Sequence, residues 1–178
     1  MAEFNYEKPF PLETDNTSYK LITKDYVSLI NVDGREILKV DPKGLELIAE
    51  HAMIDVSFML RTAHLEKVSK ILDDPEATDN DRFVAHTLLK NAQIAVEGQL
   101  PSCQDTGTAI VMGKKGENVY TGIDDALYLS KGIYNTYQNK NLRYSQVVAA
   151  NMFDEKNTGT NLPAQIDIYA SEGNEYNL

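Results

Sequence analysis

The chain has no tryptophan, one cysteine and a shortage of positive charge. The lone Cys103 excludes an internal disulfide, and with it the usual mark of an oxidising compartment. No apolar run approaches the ~20 residues of a helical membrane span. Met1-Ala2-Glu3-Phe4-Asn5 has neither a basic region followed by an apolar one nor the Arg-rich composition of a transit peptide. The 17 Lys and Arg stand against 27 Asp and Glu, a formal charge of −10. That balance argues against nucleic acid, whose recognition needs a basic face, and against an anionic membrane surface. A soluble cytoplasmic chain is the expectation. A small anionic ligand would need a locally positive site set against the overall field. Gly113-Lys114-Lys115-Gly116 is no phosphate loop, because the Gly-Lys-Ser/Thr ending is missing.

What is present suffices for one domain with a core: 178 residues, 42% of them hydrophobic. Residues 1–40 read as an N-terminal arm, to about Ser18, followed by a β-hairpin. The hairpin runs from Tyr19–Ile30 through the turn Asn31-Val32-Asp33-Gly34 to Glu36–Val40. Residues 41–178 read as the body of an α+β fold. Asp41-Pro42 opens a helix with Leu45, Ile48, Ala49, Ala52, Val56 and Met59 at helical spacing, and a shorter helical piece ends at Leu72. A second long helix begins near Thr78, carries Val84, Ala85, Leu88, Leu89, Ala92, Ala95 and Val96, and is capped by Gly98. Antiparallel packing of these two long helices is the simplest arrangement, and both lead to the Cys103 loop. Ala109–Met112 reads as a strand, Gly113–Gly116 as a turn and Asn118–Thr121 as a return strand. A helix follows from Asp124 to about Asn139, and then a polar loop, Asn157–Asn161, with no core-forming residue. From Gln165 a strand enters a hairpin turn at Ser171-Glu172-Gly173-Asn174. The chain stops four residues into the return, which predicts a fragment of a longer protein.

The chemistry concentrates at Pro101-Ser102-Cys103-Gln104-Asp105-Thr106-Gly107-Thr108. A lone cysteine is most often a small buried hydrophobe, yet these polar neighbours are poor core material. His51, His64 and His86 lie on predicted helices, so nothing specifies a Cys–His nucleophile pair, and no zinc-type ligand spacing is present. The residues alone lead to an α+β domain with a polar cysteine loop. A thiol redox role for Cys103, or a non-catalytic binding or assembly module, stays open.

Leu100-Pro101-Ser102-Cys103-Gln104-Asp105-Thr106-Gly107-Thr108-Ala109 resembles the first cysteine motif of the class I, iron–sulfur-dependent fumarate hydratases. Pro9–Leu12, Glu36–Val40, Ser57–Arg61, Tyr134–Tyr137, Asn141–Gln146 and Asn157–Gln165 resemble the same family. One departure is Thr62, where the family pattern Arg-Pro-Ala-His leads one to expect proline. The resemblance implies a reversible hydration of fumarate to (S)-malate, a hydro-lyase reaction of the tricarboxylic acid cycle, by a homodimer. It implies a [4Fe–4S] cluster held by three cysteines, of which Cys103 matches the first. Gln104 and Asp105 match substrate-contacting residues, Asp105 also matches a member of the proton relay, and Arg143 matches a carboxylate-binding arginine. The other two cluster cysteines and the base are absent from these residues, so the chain alone is expected to lack cluster and activity. A related dehydratase acting on tartrate or mesaconate is the enzymatic alternative.

Overall fold

The computed structural model describes residues 3–7, 18–105 and 107–178. Most of the expected N-terminal arm, Pro9–Leu12 included, and Thr106 lie outside the described residues. Strands β1 (Val27–Val32) and β2 (Arg35–Val40) pair antiparallel, with Val32 opposite Arg35. The turn is therefore two residues, Asp33 (φ 52°) and Gly34 (φ 81°), and not the four expected. The Asp-Gly pair alone supplies both left-handed positions of a hairpin turn, so the strand runs on through Asn31 and Val32.

Helix α1 (Pro42–Phe58) begins as expected: the Asp41 carboxylate accepts the Lys43 amide at 2.8 Å, and Pro42 occupies the first turn. After an extended break at Met59–Arg61 come α2 (Thr62–Lys70) and a single 3₁₀ turn (Ile71–Asp73). In α3 (Asp79–Ala95) Thr78 and Asp81 form a reciprocal capping box, the hydroxyl accepting one amide and the carboxylate the other. The helix stops at Ala95, three residues before Gly98. Of its expected apolar stripe only Ala85 and Ala95 are buried, while Val84, Leu88 and Val96 are exposed. The expected α1–α3 pair is replaced by another: α3 packs against α2 and the 3₁₀ turn.

Strands β3 (Ile110–Gly116) and β4 (Val119–Tyr120) precede α4 (Asp125–Asn139), whose cap Asp124 accepts the Leu127 amide. Strands β5 (Val147–Ala149), β6 (Glu155–Asn157), β7 (Gln165–Ser171) and β8 (Tyr176–Asn177) follow. The strands form three small sheets, ordered β1-β2-β4, β7-β3-β8 and β5-β6. Two turn expectations fail here. Gly113–Gly116 lies inside β3, where glycine serves close approach and not a bend: a Cβ on Gly113 would stand 2.6 Å from Leu178 Cδ2 and 2.9 Å from Ile168 Cδ1. The strand after it, β4, pairs with β2 in another sheet. The strand from Gln165 does not turn back on itself either. Its return, β8, crosses the end of β3 and pairs on the far side. Gly116 and Asn118 donate to Glu175 O (2.8 Å) and Gly173 O (2.9 Å) at that crossing.

The core lies where α1 crosses α4. Leu129, Ile133 and Tyr137 recur every fourth residue on one face of α4 and are at most 1% exposed. One cluster joins Leu129 to Val40, Leu45, Ala49 and Val119, and a second joins Ile133 and Tyr137 to Phe58, Ala109 and Leu142. Gly132 permits the crossing, since a Cβ there would overlap the backbone of α1 at Glu46 and Glu50. Glu46 is buried in the same contact and is held by Lys43 (2.7 Å), Lys131 (3.1 Å) and Asn135 (3.0 Å). The mixed helix-and-sheet architecture agrees with the expected α+β class. Among the described residues, no helix is long and apolar enough to cross a membrane.

Candidate functional site

The cysteine loop is anchored at the end of α1. The last carbonyls of a helix lack intrahelical partners, and Ser57 O finds its partner in the loop, accepting from Ser102 N (2.9 Å) and Ser102 Oγ (3.1 Å). Helix α3 reaches the same residue, with Asn91 Nδ2 donating to Ser102 O at 2.7 Å. Both long helices thus lead to this loop as expected, though they do not pack as a pair. Cys103, Gln104 and Asp105 follow and are all exposed. The Cys103 thiol is free, and its sulfur accepts the Asp105 amide at 3.4 Å.

Arg143 sits on the segment between α4 and β5 and is exposed. That segment is bonded to the cysteine loop, so residues 38 positions apart meet: Thr108 Oγ1 donates to Gln146 Oε1 at 2.8 Å. The third partner is the polar loop that starts at the last residue of β6. Asn157 Nδ2 donates to Tyr144 O (2.7 Å), and Thr158 N donates to Gln146 O (3.0 Å). Asn161 lies fully buried between the two other segments. Its Oδ1 accepts from Ser145 N (2.6 Å) and Gln146 N (2.9 Å), and its Nδ2 donates to Gly107 O (2.9 Å). The expected polar loop without core residues therefore contains one of the most buried side chains in the protein. Sequence reasoning kept the Asn157–Asn161 loop as a weaker candidate only and gave neither Asn161 nor Gln146 a role. The available signal was an uncharged stretch of two Asn, two Thr and one Gly, rich in donors and acceptors and poor in groups that need water.

The donor set fits a metal cluster at one corner only. A thiolate on an exposed loop is a suitable iron ligand, and an N–H···S hydrogen bond of the kind Asp105 makes is one of the levers on cluster potential. Among the described residues, no group of three or more His, Cys, Asp or Glu could hold a metal ion. Cys103 would therefore be a single ligand of a larger site.

A cavity of about 180 Å³ lies elsewhere, against the hairpin, lined by Ile22, Tyr26, Val27, Leu38, Leu45 and Leu178 among others. None of its lining residues belongs to the cysteine, arginine or asparagine loops. Its lining is apolar, which suits packing better than recognition of a dianion. A second polar cluster ties β3, α4 and β8 together: Lys115 Nζ donates to Asp125 Oδ2 and Thr121 Oγ1 (both 2.7 Å), and Tyr176 OH donates to Asp125 Oδ2 (2.9 Å). Burial pushes the Asp125 carboxyl up, but the hydrogen bonds from Lys115, Thr121 and Tyr176 outweigh it and hold the group below its ordinary value. Lys115 and Asp125 pair within the cluster through Oδ2, while Asp125 Oδ1 is buried without a hydrogen-bond partner among the described residues, and the bonds fasten the sheet to the helix.

Known proteins are similar in sequence along nearly the whole chain. The family model for fumarate hydratase (Fumerase) matches residues 46–178. The anaerobic class I fumarate hydratase of Escherichia coli (strain K12) is 58% identical over 97% of this chain, which covers 32% of that protein. The aerobic class I enzyme of the same strain is 56% identical over the same shares. The L(+)-tartrate dehydratase subunit alpha of that strain is more distant, 30% identical over 52% of this chain and 29% of its own length. The chain spans about a third of the length of the curated relatives it matches. With 133 of its residues matched by that family model, the chain belongs to the fumarate hydratase (Fumerase) family.

Proposed function

We propose that the chain is the N-terminal portion of a class I fumarate hydratase, in which residues 1–40 precede a catalytic body that begins at residue 41. The complete enzyme, a cytoplasmic homodimer with a [4Fe–4S] cluster, would hydrate fumarate reversibly to (S)-malate. The observation that carries this reading is the bonding of the Cys103 loop to the Arg143 segment, through Thr108–Gln146 and through Asn161. A soft metal ligand and a planar cation then belong to one hydrogen-bonded unit.

A cluster bound there supplies a Lewis-acidic iron for the hydroxyl group of malate. Cys103 would hold one corner of it as thiolate. Arg143 would take a substrate carboxylate through two parallel N–H bonds, a geometry its rigid fork suits. The Gln104 amide would donate to the substrate beside it. Asp105 would accept and return a proton in the relay, while the base next to the substrate carboxylate and two further cysteines would come from the part of the enzyme that these 178 residues do not cover. The guanidinium also offsets, locally, the −10 charge that would otherwise repel a dianion.

The complete protein, purified with its cluster, should interconvert fumarate and malate. Cys103→Ser should abolish both turnover and cluster absorbance. Arg143→Ala should raise the KM for fumarate by about 10- to 100-fold, the loss expected for hydrogen bonds to a charged group. The 178-residue chain, freed of host fumarase, should be inactive, and measurable turnover by it would sink the fragment reading. Faster turnover of tartrate or mesaconate than of fumarate would reassign the substrate.

A further inference from the structure

Asn161 is bonded at both ends of its carboxamide. Its Oδ1 accepts two backbone amides, Ser145 N at 2.6 Å and Gln146 N at 2.9 Å, and its Nδ2 donates to Gly107 O at 2.9 Å. The orientation of the group is fixed by its partners, because a flipped amide would face donors with a donor. Its backbone is left-handed (φ 55°), a conformation asparagine adopts more readily than most residues. Aspartate could keep the acceptor half but not the donor half, and glycine could keep the backbone but neither half. Gly107 lies four residues after Cys103, and Ser145 lies two after Arg143. One buried side chain is thus bonded to both loops that carry the candidate chemistry.

We propose that Asn161 is the positioning residue that sets the Cys103 loop and the Arg143 segment relative to one another, so that metal corner and guanidinium address the same dicarboxylate. The proposal rests on the fumarate hydratase reading of these two loops. Asn161 itself touches neither thiol nor guanidinium; it acts through the Gly107 carbonyl on one side and the Ser145 and Gln146 amides on the other. A displacement of about 1 Å between reacting groups can cost about 100-fold in rate, so a small slip of either loop is enough.

Two variants separate the halves. Asn161→Gly removes the carboxamide and keeps the left-handed backbone. Asn161→Asp keeps the acceptor for Ser145 and Gln146 and sets an oxygen against Gly107 O. In the complete, cluster-loaded enzyme, Asn161→Gly should raise the KM for malate and lower kcat, with kcat/KM down about 100-fold. Asn161→Asp should leave KM close to the parent value, lower kcat and alter the electron paramagnetic resonance spectrum of the cluster after one-electron reduction with dithionite. In the 178-residue chain, amide hydrogen exchange at Ser145 and Gln146 should accelerate in Asn161→Gly and stay slow in Asn161→Asp. Variants that melt earlier yet keep KM, kcat and cluster spectrum would overturn the proposal, leaving Asn161 a packing residue only. If Asn161→Gly does not fold, the KM-against-kcat split of Asn161→Asp decides alone. If the parent enzyme shows no fumarate turnover, the functional reading fails, and the exchange pattern still decides whether Asn161 sets the two loops.

Discussion

Replacing Gly132 by alanine tests the crossing on which the rest of the fold is hung. Gly132 is buried on α4, and a Cβ there would stand 2.8 Å from Ala49 Cβ and 2.9 Å from Glu50 N, with the Glu46 carbonyl oxygen nearer still. On an exposed helix surface the same change would stabilise by about 1 kcal/mol, because alanine is the better helix former. Here two of the three obstacles are backbone atoms of α1, which no rotamer change can move aside. Overpacking of that kind costs about 1–3 kcal/mol, and rigid obstacles place this site at the upper end. Parting the helices also weakens the bond from Thr136 Oγ1 to Glu50 O, now 3.0 Å, worth about 1 kcal/mol. The net expectation is a loss of about 3 kcal/mol, which for a chain of this length lowers Tm by about 6–12 °C. Circular dichroism melts of parent and Gly132→Ala chains, with urea titrations beside them, measure it. A variant as stable as the parent would show that α1 and α4 can separate without loss, and that the close crossing is not what holds the core.

Glu46 sets an acid limit. Burial pushes its carboxyl up, but the hydrogen bonds from Lys43, Lys131 and Asn135 outweigh burial and hold it below its ordinary 4.5. A lowered folded value means stabilisation fully present above pH 4.5 and lost as the pH falls through the folded value, so Glu46→Gln should flatten the acid limb of urea midpoint against pH. Tyr176 sets an alkaline one: burial, then its bond to the Asp125 carboxylate, pushes the phenol well above its ordinary 10.0. That contribution is fully present below pH 10.0 and is lost as the pH rises toward the folded value, and Tyr176→Phe should remove this dependence from the same titration carried into alkali.

Local signals were legible where one residue decides one feature. Asp41-Pro42, Thr78 with Asp81, and Asp124 each start a helix at the expected place, because capping is a contact between neighbours in sequence. Partner choice was not legible. Ala85, Leu88 and Ala92 have helical spacing, but spacing does not say which element covers them, and α4 takes the place on α1 that α3 was expected to fill. Gly113 and Gly116 were read as a turn because glycine marks both bends and close approaches, and only the neighbouring strands β7 and β8 tell these apart. At the site, Cys103, Gln104 and Asp105 stand out by composition. Asn161 does not, since a buried asparagine and an exposed one are spelled alike and its three partners come from two distant segments.

The exposure of the site has a consequence for its chemistry. Cys103, Gln104, Asp105 and Arg143 are all exposed, whereas small-ligand sites bury about 70–90% of their ligand and the proposed hydration chemistry would gain from excluding bulk water. The apolar residues that continue from these loops are open as well: Ile110 is 54% exposed, Val147 44% and Val148 41%. Exposed apolar residues grouped beside a polar loop are the kind of surface that a partner covers. Under the proposed function, the part of the relatives' length that this chain does not cover is the candidate cover. The Cys103 thiol reports on this directly. In the 178-residue chain, iodoacetamide should reach it about as fast in the native state as in urea, since Cys103 is exposed among the described residues. In the complete, cluster-loaded enzyme of that proposal, the same thiol should be protected, as an iron ligand beneath a second wall would be. A native 178-residue chain whose thiol reacts only on unfolding would show that the chain closes its own site, and the need for a second wall would disappear.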